Sequence, residues 1–396
     1  MGESLTCDVV IVGAGMVGAA CALYAARAGL DVTVVDRGPV ASGTTGAGEG
    51  DLLVSDKEPG PELVLALHSL RLWRELAEEL GDLVEYEPKG GVVVASTPES
   101  LTALEALASA QRARGVRAVG VSSGQLRELE PYLAPGLAGA VHYPQDAQVM
   151  PALAAAHVLR ASGARLLTGR TVGEVLRGPA GAVRGVRTDR GTVHAPAVVN
   201  AAGVWGGELA AHAGVFLPVL PRRGFVLVTE PLPPRVRHKV YAAGYVADVS
   251  GDSAALRTSP VVEGTAAGPL LIGAGRERVG FDRSLSLPAL RALAAGAIGL
   301  FPFLTGVRVL RTYAGFRPYL PDHLPAIGPD PRVPGLYHAC GHEGAGIGLA
   351  TGTGHLIARA LTGAEPALDP APFRPDRFPP SGAGPARSAR VRGEAR

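Results

Sequence analysis

The most constraining feature of the chain is its first stretch, Cys7-Asp-Val-Val-Ile-Val-Gly-Ala-Gly-Met-Val-Gly running on to Val35-Asp36. The β-branched run Val9 to Val12 reads as a buried parallel strand. Gly13, Gly15 and Gly18 follow at once, then a helix of small residues from Ala19 to Ala28, then a second apolar strand, Val32 to Val35, ending on Asp36. Strand, Gly-x-Gly-x-x-Gly turn, helix, strand and acid stand in the order a dinucleotide site requires. Gly13 permits the tight turn, Gly15 admits a pyrophosphate against backbone, and Gly18 lets the helix lie close on the strand. The unpaired N–H groups of the helix N-terminus meet the pyrophosphate charge, and Asp36 can accept from ribose hydroxyls. A glycine-rich βα turn without ligand is the bland alternative, and the flanking elements and the acid argue against it.

Composition narrows the class. At 396 residues and 47% hydrophobic content, the chain has material for one large or two modest domains. A formal charge of +2, with no basic-aromatic stripe, gives no case for nucleic acid. The cysteines Cys7, Cys21 and Cys340 form no C-x-x-C pair, so the chain offers neither a disulfide framework nor an iron–sulfur ligand set. Glu3 and Asp8, with no Lys or Arg ahead of the apolar run, do not fit a signal peptide. Leu293 to Leu304 is interrupted by Pro302 and too short to span a bilayer. The expectation is a cytoplasmic protein without an integral membrane segment.

After Asp36, residues 37–50 form a loop of glycines and hydroxyls, including Arg37, Ser42, Gly43, Thr44, Thr45, Gly46, Ala47, Gly48 and Glu49. So little side chain, directly after the ribose acid, fits backbone contact with a ligand. Helices are expected over Pro61 to Leu80, Ser100 to Arg114, Ser123 to Glu130 and Pro151 to Ala161, with a strand at Gly91 to Ala95. Trp73 and Leu76 read as core residues of the first of these. Val183 to Arg187 and Thr192 to Ala195 read as a hairpin, and Val198-Val-Asn-Ala-Ala-Gly203 as a buried strand entering a tight turn. From Phe216 to Arg311, strands at Arg223 to Glu230, Ala254 to Thr258 and Leu270 to Gly275, with a helix at Leu287 to Leu300, indicate an antiparallel sheet distinct from the parallel first part. Gly335 to Cys340 is a strand entering Gly341-His-Glu-Gly-Ala-Gly-Ile-Gly348 and a small-residue helix to Leu361. The chain thus returns to the same ligand a third time.

These pieces together resemble the FAD-dependent D-amino-acid oxidase superfamily, which includes glycine oxidase and sarcosine oxidase. The resemblance rests on Ile11 to Gly18, Val198 to Trp205, Pro221 to Glu230, Tyr313-Ala-Gly-Phe-Arg-Pro318 with Pro325 to Gly328, and Gly341 to Gly348. Gly46 to Gly50 and His342 to Gly348 are most similar to flavin subunits of multi-subunit amino-acid dehydrogenases, namely hydroxyproline or proline dehydrogenase, opine oxidase and hydrogen cyanide synthase. The implied fold is α/β, a Rossmann-like FAD-binding domain with a second, mainly antiparallel-sheet substrate domain (α+β). Residues 1–85, 145–215 and 312–378 would form the FAD-binding part, 86–144 and 216–311 the substrate domain, and 379–396 a disordered tail. The implied cofactor contacts add Met16, Val17, Thr171, Val172, Ala201, Ala202, Gly203, Trp205, Gly315, Arg317, His342, Glu343, Gly344, Ala345, Gly346 and Ile347 to those named above.

Two departures from relatives matter. Members that bond flavin covalently carry a cysteine near the Tyr313 to Pro318 stretch; none lies there, so non-covalent FAD is expected. Where glycine oxidase has a substrate-site arginine, this chain has Glu343 and Gly344, which counts against glycine as substrate.

Oxidising a C–N bond at flavin asks the protein chiefly to position a neutral amine. The resemblance makes Arg317 the carboxylate anchor, because a guanidinium holds a carboxylate bidentately and so fixes its plane, and Gly315 and Pro318 are expected to hold it on a rigid turn; a structural pair with Asp322 is the other reading. The start of the helix after Gly346 can face reduced flavin's negative charge, with His342 as a candidate hydrogen-bond donor. Glu49 is a candidate for the substrate amine, or a solvated carboxylate. His338, Cys340 and His342 alternate along a strand but lack a fourth metal ligand. The function expected is oxidation of an amino or imino acid to an imine, with electrons passing to an iron–sulfur or flavin partner subunit. A self-sufficient oxidase, an NAD-dependent dehydrogenase and a non-catalytic flavin-bearing subunit are the alternatives.

Overall fold

A computed structural model describes residues 3–244 and 257–379. The tail after residue 379 and most of the expected Ala254 to Thr258 strand lie outside the described residues.

A six-stranded sheet is built around the opening motif. Its order is Ala326–Pro329, Leu336–Cys340, Ala197–Asn200, Val9–Val12, Val32–Val35, Arg165–Leu167, parallel throughout except for the first pair. Val9–Val12 is buried on both faces, as its unbroken β-branched run requires. The helix Met16–Arg27 covers one face and packs on the helix Ala350–Thr362. Small residues make that approach possible, since a Cβ on Gly354 would stand 2.6 Å from the Ala20 carbonyl carbon. The three strands that end in glycine turns are therefore neighbours, Leu336–Cys340, Ala197–Asn200 and Val9–Val12, and all three turns open at one sheet edge.

An eight-stranded sheet carries the second layer, in the order Val309–Tyr319, Leu220–Thr229, Leu270–Arg276, Arg257–Gly264, Lys239–Ala242, Gly91–Ala95, Gly139–Tyr143, Val119–Ser122. It is antiparallel apart from the parallel pairing of Lys239–Ala242 with Gly91–Ala95. The helix Leu287–Leu300 covers it through Leu293 and Ala297, both buried among Phe225, Leu227 and Ile272. A four-stranded sheet joins Glu3–Thr6 to the expected hairpin.

Three local expectations shift. The helix expected from Ser100 begins at Pro98, because Thr97 caps it by accepting from the Ser100 N–H at 3.2 Å and Pro98 occupies the first turn. The last helix begins at Ala350, not directly after Gly346: a turn closed by Leu349 N–H donating to Ala345 O at 2.9 Å comes first. The rigid turn expected around Arg317 is instead the strand Val309–Tyr319. Gly315 and Pro318 look like turn chemistry, but this is an edge strand, where proline is tolerated.

Candidate functional site: a glycine-lined cleft with an arginine at its end

The three glycine turns and the 37–50 loop enclose a cleft of about 350 Å³. Gly13 has φ +120°, and a Cβ there would lie 2.3 Å from the Ala201 carbonyl oxygen, so the first two turns touch backbone to backbone. Gly15 faces Thr45, whose Oγ1 accepts from the Met16 N–H at 3.0 Å and pins the loop to the helix start. Asp36 accepts from the N–H of Ala14 and of Gly38, both at 2.7 Å, and still lines the cleft. Arg37 lies 3.9 Å over the Trp205 ring, and both border the same end together with Thr171 and Val172.

Most of the residues singled out in the sequence meet here: Gly13, Gly15, Met16, Val17, Asp36, Arg37, Ser42, Gly43, Thr44, Thr45, Ala47, Gly48, Glu49, Thr171, Val172, Ala201, Ala202, Gly203, Trp205, Gly315, Arg317, His342, Glu343, Gly344, Gly346 and Ile347 all line the cleft. Gly18, Gly46 and Ala345 do not. A Cβ on Gly18 would lie 1.9 Å from Gly13 O and one on Gly46 2.4 Å from Ala41 O, so both shape the turns from behind. Ala345 borders a second cavity of about 240 Å³ on the far side of the loop.

The other end of the cleft is floored by the eight-stranded sheet. Tyr313, Gly315 and Arg317 share one strand face, opposite Val226, Gly224 and Arg222. The 44–49 loop runs along that strand: Thr44 Oγ1 donates to Phe316 O at 2.6 Å, and a Cβ on Gly315 would stand 2.6 Å from Ala47 Cβ. Arg317 crosses the floor, donating from Nη1 to Gly275 O at 2.8 Å beneath Gly344. Asp322 does not pair with it; Asp322 is held by Arg377 Nε at 2.6 Å. Glu49 is buried, which removes its solvated reading. Its carboxylate rests on Gly273, where a Cβ would meet it at 2.2 Å, and its Oε1 has no hydrogen-bond partner among the described residues.

His342 and Glu343 border the cleft in different ways. His342 is fully enclosed, and burial pushes its imidazole down to about 3, with Nε2 3.0 Å from Thr353 Oγ1. It is neutral at physiological pH and supplies no positive charge. The Glu343 side chain turns out of the cleft to Arg222 and to His323, 2.9 Å away. Burial opposes its ionisation, yet His323, Arg222 and Arg276 together hold its carboxyl below the usual range. Glu343 meets the cleft through backbone at φ +49°, its N–H donating to Pro318 O at 2.7 Å.

Some contributors carry no sequence signal. Trp73, a core residue by its helical spacing, also donates its indole N–H to Ile347 O at 3.0 Å and so tethers the third glycine loop. Gly224 and Gly273 sit in mid-strand, and only the register reveals that they make room for Arg317 and Glu49. Among the described residues there is no cluster of His, Cys, Asp and Glu suited to a metal, and no helix long and apolar enough to cross a membrane.

A cleft floored by three glycine turns, with an acid at one end and an arginine on an antiparallel sheet at the other, fits an extended dinucleotide whose redox ring meets a small anionic substrate; this is the layout of a flavoprotein oxidoreductase. Residues 8–360 match the DAO family of FAD-dependent oxidoreductases, and the chain belongs to that family as an FAD-dependent enzyme. It is 31% identical to hydrogen cyanide synthase subunit HcnC of Pseudomonas aeruginosa, over 95% of this chain and 97% of that protein. It is 33% identical to glycine oxidase of Geobacillus kaustophilus, over 92% of this chain and 96% of that protein. The crystal structure of that species' glycine oxidase superposes with a TM-score of 0.85 at 30% identity, covering 94% of this chain and 99% of the other. L-proline dehydrogenase from P. horikoshii shares the fold, with a TM-score of 0.86 at 24% identity and coverage of 95% and 98%.

Proposed function

We propose that the protein oxidises the C–N bond of a small amino or imino acid, giving an imine that water hydrolyses to an oxo acid, and that it does so in the cytoplasm. When bound, FAD supplies the two-electron acceptor. The carrying observation is the floor of the cleft: Arg317 at one end of a strand face, Glu49 beside the other, and the paired glycines Gly224 and Gly315 between them. Arg317 takes the substrate carboxylate bidentately and fixes the direction of Cα. Glu49 faces the amine. The Gly224–Gly315 pair makes room on this floor for the Arg317 guanidinium and for Ala47 of the 37–50 loop. The neutral His342 and the outward-turned Glu343 keep additional charge off this surface. Relatives named as glycine oxidase and sarcosine dehydrogenase support the class, and Glu343 and Gly344 favour a substrate other than glycine.

The likeness to HcnC, a named subunit of hydrogen cyanide synthase, supports a second element: electrons leave through a partner subunit bearing an iron–sulfur or flavin centre. The test of the reaction class is an anaerobic screen of D- and L-amino acids, N-methyl amino acids and prolines against the yellow holoenzyme. Bleaching of the flavin by members of one of these classes is the expected result; bleaching by none of them, or by NADH alone, would overturn the reading.

A further inference from the structure

Behind Glu49 lies a group of charges that the reaction as described leaves unused. Glu263, on the strand Arg257–Gly264, has no exposed surface; its Oε2 accepts from Lys239 Nζ at 3.0 Å, and its Oε1 has no hydrogen-bond partner among the described residues. Lys239, also buried, is shared with Asp51, which lines the cleft two residues after Glu49. The register brings these together. Gly273, on which the Glu49 carboxylate rests, pairs with Val261, and Glu263 is two residues beyond Val261 on the same face. Lys89 also acts on Glu263, but it is engaged with Glu87 at 3.1 Å and with Gly264 O. Tyr313 feels both glutamates, and Arg311 stacks on its ring at 5.3 Å.

Among the described residues the immediate cluster is therefore Glu49, Asp51 and Glu263 around one ammonium, Lys239. Such an excess of buried negative charge is unfavourable unless a proton or another cation enters. Among the described residues, the buried Glu49 Oε1 and Glu263 Oε1 have no hydrogen-bond partner. An α-amino acid arrives mostly as an ammonium and must lose a proton before its C–N bond can be oxidised.

We propose that Glu49, Glu263, Lys239 and Asp51 form the site that receives the substrate ammonium, with Glu49 as its proton acceptor and Glu263 as a positioning residue that tunes that acceptance. The inference rests on the amine-oxidising reading above. In the step, one N–H bond of the ammonium breaks, its proton bonds to a Glu49 oxygen, and nitrogen retains the electron pair. The proton returns to solvent with the product. Burial raises the Glu263 carboxyl to about 7, with Lys239 opposing the rise and the Glu49 charge adding to it. Glu263 thus changes its charge in the range where the enzyme would work, and Glu49 faces a different neighbour on either side of neutrality. The substrate class that completes such a site has a protonatable primary or secondary amine, not a neutral amide or a hydroxy acid.

Two readouts test this. The first needs no substrate: pH-difference infrared spectroscopy on the full-length holoenzyme. A buried carboxylic acid signal should titrate near neutral pH, move to lower pH in Glu49→Gln, and vanish in Glu263→Gln. A signal whose midpoint is unchanged in Glu49→Gln, or no such signal in the native protein, would overturn the pair. The Glu49→Gln comparison stands even where Glu263→Gln fails to fold. The second is the pH dependence of anaerobic flavin reduction by an amino acid that bleaches the native enzyme. Its rate should rise with pH; Glu263→Gln should shift that rise to lower pH by about one unit, and Glu49→Gln should slow reduction at neutral pH and leave only the rise set by the amino acid's own ammonium. Profiles that superimpose on the native one would sink the proposal. If no amino acid bleaches the flavin, the reaction class fails and the infrared result still decides the carboxyl pair.

Discussion

Arg317 lies across Gly224: a methyl group on Gly224 would stand 2.0 Å from the arginine's Nη1, and the same Nη1 donates to Gly275 O at 2.8 Å. The guanidinium is thus seated by a neighbour's missing side chain and a backbone carbonyl. Gly224→Ala should displace the guanidinium and raise the substrate KM, with FAD content unchanged. Arg317→Ala should lose roughly 2–4 kcal/mol of substrate or transition-state binding, again with flavin retained. Arg317→Lys should recover only part, because a point charge does not fix the carboxylate plane. Normal turnover in the alanine variant would remove Arg317 from the site.

The cofactor should be FAD and should leave the chain on denaturation. Cys340 is the one cysteine on the cleft wall, but it is buried against Gly206 and burial pushes its thiol up to about 12, so the reactive thiolate is absent. Acid precipitation should leave yellow FAD in the supernatant and a colourless pellet. Gly15→Leu, which drives a side chain toward Thr45 Oγ1 at the helix start, should yield colourless protein. Recovered FMN, or flavin retained on the pellet, would contradict the assignment.

Acid should destabilise the fold through its buried histidines. Burial lowers His342 to about 3, against an unfolded value near ~6.5. Between those values the unfolded chain binds a proton that the folded chain does not, so stability rises with pH across the window and is lost as pH falls below about 6.5. His342→Gln, which can still meet Thr353, should flatten the slope of urea-unfolding stability by up to ~1.4 kcal/mol per pH unit in that range. An unchanged slope would mean that His342 is not neutral in the folded state.

The parts of the site legible in the sequence are those built from local patterns. Gly13, Gly15 and Asp36 could be placed because a strand, a glycine turn and an acid at fixed spacing have one geometric use. Residues 198–203 and 341–348 repeat that strand-to-glycine-turn signal, and their strands are neighbours in the sheet. The substrate end was harder. Gly224, Gly273, Glu263 and Lys239 come from four strands of one sheet, and nothing local tells that their side chains share a face. Arg317 is marked by its Gly-Phe-Arg-Pro context, yet glycine and proline there suggest a turn, because proline's meaning depends on a tertiary fact: among the described residues no strand pairs on the outer side of this one. Glu343 lines the cleft as its glycine loop implies, but nothing local tells that its side chain answers the buried charge of Arg222.

Electron transfer to a partner predicts a specific response to air. Enzyme reduced by substrate should reoxidise slowly in oxygen and quickly with an artificial dye acceptor. Millisecond reoxidation with stoichiometric peroxide would show that no partner is needed.

The most direct measurement of the central claim is the anaerobic stoichiometry of a single turnover. Holoenzyme mixed with a reducing amino acid, and with the same compound deuterated at Cα, is followed by flavin absorbance and then assayed for product. One oxo acid and one amine or ammonia per flavin reduced, with slower reduction of the deuterated compound, is the result predicted for C–N oxidation over the Arg317 and Glu49 floor. Flavin reduction without oxo acid, or without dependence on the Cα hydrogen, would contradict it.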